Sequence, residues 1–166
     1  ADVSMESVIG RHAGPGVGIV CADVDDDGDT DIFVLKDVFG NFFFQNDGHG
    51  HFEEVGMMNG LAFNLQGRVL GSMGVDAGDY DNDGRLDFFF TSYHGELPVL
   101  YRNLGGGLFE DVTMRTRAGL GSLGNVKWGC GLIDFDNDGH KDIFLGLGHL
   151  QDNIEQWDDT STYLAR

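Results

Sequence analysis

The chain is short of positive charge: 10 Lys and Arg stand against 28 Asp and Glu, a formal charge of −18. Nucleic acids and anionic membrane surfaces are bound by clustered cations, so this balance disfavours both as partners. Long apolar runs are missing too. None approaches the ~20 residues of a membrane-spanning helix, and no signal-peptide pattern opens the sequence. It begins at Ala1 rather than Met, which leaves room for a leader or a longer upstream segment. Only two cysteines occur, Cys21 and Cys130, expected as small buried thiols rather than as a disulfide. The six histidines show no H-E-x-x-H spacing, and no serine stands in G-x-S-x-G. No active site is legible, and the chain reads as a non-enzyme.

What is present is acid, and it is concentrated. "ADVDDDGDTDIFV" (22–34), "GDYDNDGRLDFFF" (78–90) and "IDFDNDGHKDIFL" (133–145) share the frame D-h-D-x-D-G-x-x-D, with h hydrophobic, followed by an apolar triplet. Their first aspartates are Asp23, Asp79 and Asp134. Repetition at a period of about 55 residues points to a solenoid, propeller or array. With 41% hydrophobic residues and 13 Phe, this is not a disordered acidic tail.

The surroundings repeat as well. A glycine stands five residues before each first aspartate: Gly18, Gly74 and Gly129. After each motif comes a short aromatic or β-branched run suited to a buried strand. Next, "FFQNDGHGHFEEV" (43–55) matches "LYRNLGGGLFEDV" (100–112), each reading as strand, Gly-rich turn, strand. One repeat thus holds about four short strands, the size of a β-propeller blade. The fold class expected is all-β, with about three four-stranded blades in an open or partial propeller. Repeats fall near 17–55, 73–112 and 128–148, and 149–166 is a polar insertion or inter-blade segment. Asp2-Val3-Ser4 matches Asp111-Val112-Thr113, so residues 1–4 are expected to belong to the last strand of a preceding blade. Trp128 follows the pattern of a core strand residue.

Oxygen donors at alternate positions, with glycine for a sharp turn, suit Ca²⁺, which takes six to eight oxygens. The expected ligands at positions 1, 3 and 5 are Asp23, Asp25 and Asp27; Asp79, Asp81 and Asp83; and Asp134, Asp136 and Asp138. Position 7 lends a backbone carbonyl from Asp29, Arg85 or His140, and Asp31, Asp87 or Asp142 closes the loop from position 9. Val24, Tyr80 and Phe135, at position 2, are expected to face inward as anchors. Asp26, at position 4, is expected to face solvent. An EF-hand is excluded, because position 12 falls on Val34, Phe90 or Leu145 inside a strand instead of on an acid.

The frame, the preceding glycine, the apolar strand and the "F-x-x-N-x-G-x-G-x-F-x-x-V" hairpin together resemble FG-GAP/VCBS repeats, the calcium-loop blades of integrin α subunits and many secreted bacterial proteins. "GDYDNDGRLDFFFTSY" and "LYRNLGGGLFEDVT" are most similar to the branch of cartilage acidic protein and UnbV-like proteins. The resemblance covers residues 2–148. It implies a seven-bladed propeller family with Ca²⁺ between the first two strands of a blade. This chain departs in having too few copies to close a ring and no "GAP" element as such. The function implied is an extracellular, calcium-binding structural or adhesive module holding about three Ca²⁺. The expected partners are further copies of the chain or the rest of a longer propeller, with a protein or glycan ligand. The alternatives are a propeller segment of a larger secreted enzyme and a calcium-dependent glycan-binding protein.

Overall fold

The structure, a computed structural model, describes residues 2–164. Three antiparallel units follow one another along the chain. The first is the sheet β1 (Gly16–Ala22), β2 (Asp31–Phe39), β3 (Phe42–Asn46) and β4 (Phe52–Glu54), in that spatial order. The short strand β5 (Leu70–Gly71) adds to the far end of β2. The second unit is β6 (Val75–Gly78), β7 (Asp87–Phe90), β8 (Val99–Gly105) and β9 (Leu108–Asp111), again in order. The third is the pair β10 (Val126–Ile133) and β11 (Asp142–Gly148). Each aspartate loop joins the first two strands of its unit, and its last aspartate starts the second strand. The register pairs Ala22 with Asp31, Gly78 with Asp87 and Ile133 with Asp142. The first two units are four-stranded blades of β-propeller type and the third is the first two strands of another, together forming part of a propeller without closure among the described residues.

The units pack face to face through the apolar triplets. Phe33 of the first unit stacks on Phe88 of the second, with ring centroids 4.8 Å apart, and Phe88 stacks on Phe109 at 5.2 Å. Val24, Leu35, Phe43, Val55, Leu61, Phe90, Val99 and Tyr101 complete this cluster. One blade further on, Phe89 lies in a smaller cluster with Leu100, Val112, Ala118 and Leu132. The repeat carries Phe33 into Phe89 and then Phe144. The first two are 1% and 0% exposed, whereas Phe144 is 58% exposed.

The recurring glycines mark the same contact. A Cβ on Gly18 would lie 2.3 Å from the Met73 carbonyl oxygen, and one on Gly74 would lie 2.3 Å from that of Trp128. The backbone just before or within the first strand of the next blade passes too close for any side chain there. Gly129, the third of the series, has nothing within 4 Å of that position.

Four expectations are corrected. Asp2-Val3-Ser4 forms a turn, with Ala1 outside the described residues. Asp2 Oδ1 accepts the Ser4 amide and Val3 O accepts the Ser7 amide, as Asp111 Oδ1 and Val112 O do for Thr113 and Thr116. The match therefore encodes the helical turn after a blade's last strand, here α1 (Thr113–Thr116). Trp128 is 41% exposed rather than core, because it lies on the face of β10 that no described blade covers. Cys21 is exposed and Cys130 half-buried, both as free thiols, and burial pushes Cys130 up to about 12. Phe135 is 58% exposed, while its counterpart Val24 is 4%; Phe135 lies beside the Phe144 ring, 6.0 Å away.

Candidate metal centres

The three loops share one backbone path. Position 4 is left-handed in each, with φ of 62° at Asp26, 59° at Asn82 and 59° at Asn137. Asp and Asn tolerate that conformation better than other residues with a side chain. Position 6 is Gly28, Gly84 or Gly139 at φ of 93°, 90° and 92°. The two left-handed steps coil the chain so that alternate carboxylates face one point. The first carboxylate accepts the position 6 amide in every copy: Gly28 to Asp23 at 3.0 Å, Gly84 to Asp79 at 2.9 Å, Gly139 to Asp134 at 3.0 Å. The position 5 carboxylate accepts the position 7 amide at 2.9, 3.1 and 2.8 Å.

Position 9 ties each loop to its sheet. Asp87 is 0% exposed; its Oδ2 accepts the Tyr80 amide at 3.0 Å and its Oδ1 that of Asn103 at 2.7 Å. Asp31 does the same for Val24 and Asn46, at 3.4 and 3.0 Å. Burial pushes the carboxyls of Asp31 and Asp87 up to about 6, against the pull of those amides. Asp142 accepts the Phe135 amide at 3.0 Å but stays exposed. The second hairpin residue joins this framework. Asn103 Nδ2 donates to Leu86 O in its own blade and to Val24 O, 2.7 Å away in the blade before.

One carboxylate oxygen from each of Asp23, Asp25 and Asp27 lies within 4.8 Å of the others, and the same holds for Asp79, Asp81 and Asp87, and for Asp134, Asp136 and Asp142. In the first loop, Asp23 Oδ1 and Asp25 Oδ1 are shielded from solvent with no hydrogen-bond donor. A buried anionic oxygen without a donor is costly. A donor set made only of oxygens, two of them unpartnered, fits a hard cation rather than zinc. Asp29, Arg85 and His140 occupy position 7 of this shared path, where a backbone carbonyl is their expected contribution. Asp26 is exposed, as expected.

The sequence pattern of the FG-GAP-like repeat matches residues 23–90 and again 79–145. The chain belongs to the FG-GAP-like repeat family. Cartilage acidic protein 1 of Xenopus tropicalis is 27% identical over 148 residues, covering 87% of this chain and 21% of that protein. The chain thus spans about a fifth of that relative's length. In this FG-GAP-like chain the matched repeats each run from one aspartate loop through the next, so the family pattern includes the interface between blades.

Two features escaped the sequence reading. Lys127, fully buried, donates its ammonium to the carbonyls of Tyr93, Glu96, Asn125 and Ser122 at 3.0, 2.8, 2.9 and 3.3 Å. It pins two loops at the end of the blades away from the aspartates, and burial pulls its pKa down to about 8. No motif surrounds it in the sequence. His94 Nε2 meets Ser161 Oγ at 3.0 Å. That pair does not form a catalytic triad: Asp158 accepts from Ser161 rather than orienting the imidazole, and Ser161 is 2% exposed. An open groove of about 540 Å³ at the Lys127 end is lined by Asn64, Arg68, Glu96, Asp111 and Leu123, among others, without a nucleophile–base pair.

Proposed function

We propose that this chain is a non-catalytic, calcium-binding propeller module that works outside the cell as a structural or adhesive element. The unpartnered, solvent-shielded oxygens of Asp23 and Asp25 carry the reading. A loop path repeated three times supports extending it to the other two sites. Asp23, Asp25 and Asp27 would hold the first ion, with Asp31 closing the loop. Asp79, Asp81, Asp83 and Asp87 serve the second ion, and Asp134, Asp136, Asp138 and Asp142 the third. Carbonyls of Asp29, Arg85 and His140 complete the sets. When bound, the ion neutralises carboxylates that otherwise repel one another, and because only the folded loop presents them, binding adds to stability. Three ions add +6 to the formal −18, leaving −12. Millimolar free calcium outside cells suits such sites.

The exposed face of β10 and β11 supports a second element of the proposal. Phe144 and Phe135 stand where Phe33 and Val24 are covered by the next blade. The front of the first blade offers exposed Ile19 and Val17. Head-to-tail contact between blades of two copies buries both faces, in a ring or a filament. Isothermal titration with calcium, thermal melts with and without chelator, and the solution mass in calcium test the proposal together. Three ions per chain, a melting temperature that falls on chelation, and a particle heavier than 18.1 kDa are expected. A melt indifferent to chelation counts against calcium, and a calcium-loaded monomer counts against self-association.

A further inference from the structure

The middle loop differs from the others in what faces it. Arg102 Nε lies 2.7 Å from Asp81 Oδ2, and its Nη2 lies 3.1 Å from Asp83 Oδ2. Arg85, at position 7 of the same loop, places a guanidinium nitrogen on Asp83 Oδ2 and donates through Nε to Asn103 O. Among the described residues, no lysine or arginine pairs with a carboxylate of the first or third loop. The hairpin match aligns Arg102 with Gln45, whose amide donates to Asp25, the aspartate equivalent to Asp81. One strand position therefore meets the position 3 carboxylate with a neutral amide in one blade and with a cation in the next.

We infer that Arg102 is a tethered counter-cation of the middle loop: it holds Asp81 and Asp83 when calcium is scarce and competes with the divalent ion for them. This rests on the proposed calcium sites. Arg85 adds to it, being fixed to Asn103 and unable to leave without breaking that bond. The pairing works through charge and through occupied lone pairs. A carboxylate shared with a guanidinium attracts Ca²⁺ less: Asp81 Oδ2 becomes available only when the Arg102 fork withdraws, and Asp83 Oδ2 still keeps Arg85 after that. The Nε approach to Asp81 is close but lacks hydrogen-bond alignment, so this half of the fork is an ion contact that yields more readily. The three sites therefore fill unequally. The middle one fills last, and its loop is the one that keeps its shape as calcium falls.

The test is a matched exchange. Arg102→Gln gives the middle loop the partner that the first loop has, and Gln45→Arg does the reverse. Calcium titration calorimetry on the full chain, with melts of the metal-stripped protein, reads both. Arg102→Gln is expected to tighten the weakest of the three steps about ten-fold, or ~1.4 kcal/mol, and to lower the metal-stripped melting temperature. Gln45→Arg is expected to weaken one of the tight steps by a similar factor and to raise that temperature. Should Arg102→Gln fail to fold without metal, the Gln45→Arg titration decides alone. Calcium steps unchanged by either exchange, or weakened by Arg102→Gln, overturn the competition while leaving the calcium sites standing. A native chain that binds no calcium overturns the sites themselves and the competition with them.

Discussion

Replacing Asp87 by alanine takes two hydrogen-bond acceptors out of a place closed to water. The Tyr80 and Asn103 amides then point at a void, because Asp87 is 0% exposed and supplies both of their acceptors. A buried N–H left without a partner costs about 1–3 kcal/mol, so the pair costs about 2–6 kcal/mol before any effect on metal. Against the ~5–15 kcal/mol that holds a typical domain together, that is severe. Asp26 offers the contrast. It is exposed and left-handed at φ 62°, where the other loops carry Asn82 and Asn137. Asp26→Asn is expected to cost less than ~0.5 kcal/mol, while Asp26→Ala adds ~1 kcal/mol of left-handed strain. Urea unfolding at saturating calcium and again after metal removal measures all three. Calcium titration should show the larger loss in Asp87→Ala as well. Equal losses of stability and of calcium affinity in Asp87→Ala and Asp26→Ala refute the assignment of position 9 as the loop's anchor.

Three other outcomes are expected. In metal-stripped protein, burial raises Asp31 and Asp87 from 3.8 to about 6, so the folded state keeps protons that the unfolded chain releases. Their contribution to stability is complete below about pH 4 and lost as pH rises through about 6; a melting temperature that climbs over that interval contradicts it. Gly74→Ala forces a methyl against the Trp128 carbonyl and should destabilise by more than ~2 kcal/mol, while Gly129→Ala, with open space, should stay within ~0.5 kcal/mol; paired thermal melts compare them. Lys127→Met strips four carbonyls of their shared donor and should cost about 3 kcal/mol or more, with protease cutting near Tyr93 and Ser122 as a second readout.

The loops were legible because their chemistry is local. Left-handed steps at Asp26 and Gly28, and the alternation of carboxylates, follow from a nine-residue frame that the chain writes out three times. The blade strands were legible for a similar reason, since each apolar triplet sits directly after its loop. Misreadings arose where the decisive partner lies in another blade. Phe135 and Trp128 have the same local pattern as buried residues, and only the neighbouring blade determines whether they are covered. Arg102 carries no local signal because its partners, Asp81 and Asp83, are about 20 residues away, across the sheet. The Asp2-Val3-Ser4 match specifies the turn that follows a strand, and sequence similarity alone does not separate the two. Lys127 gave no signal at all: its acceptors are backbone carbonyls, which every residue type supplies.

The two interfaces between blades are unequal, and that sets an order of events. A row of units, each coupled only to its neighbours, loses structure from its weaker end inward. The first and second blades share the larger aromatic cluster, whereas the third is joined through a smaller one and has two strands among the described residues. Fraying should start at β11 and proceed toward β6, with amide hydrogens of Ile143 and Phe144 exchanging before those of Phe88 and Phe89. With the proposed ions bound, loss of the third would report the first opening and loss of the first the last, so release from these two outer sites would be a clock for unzipping. Anything that docks on the Phe144 face slows that clock at its starting point, and the exchange rates of β11 measure how firmly it is held.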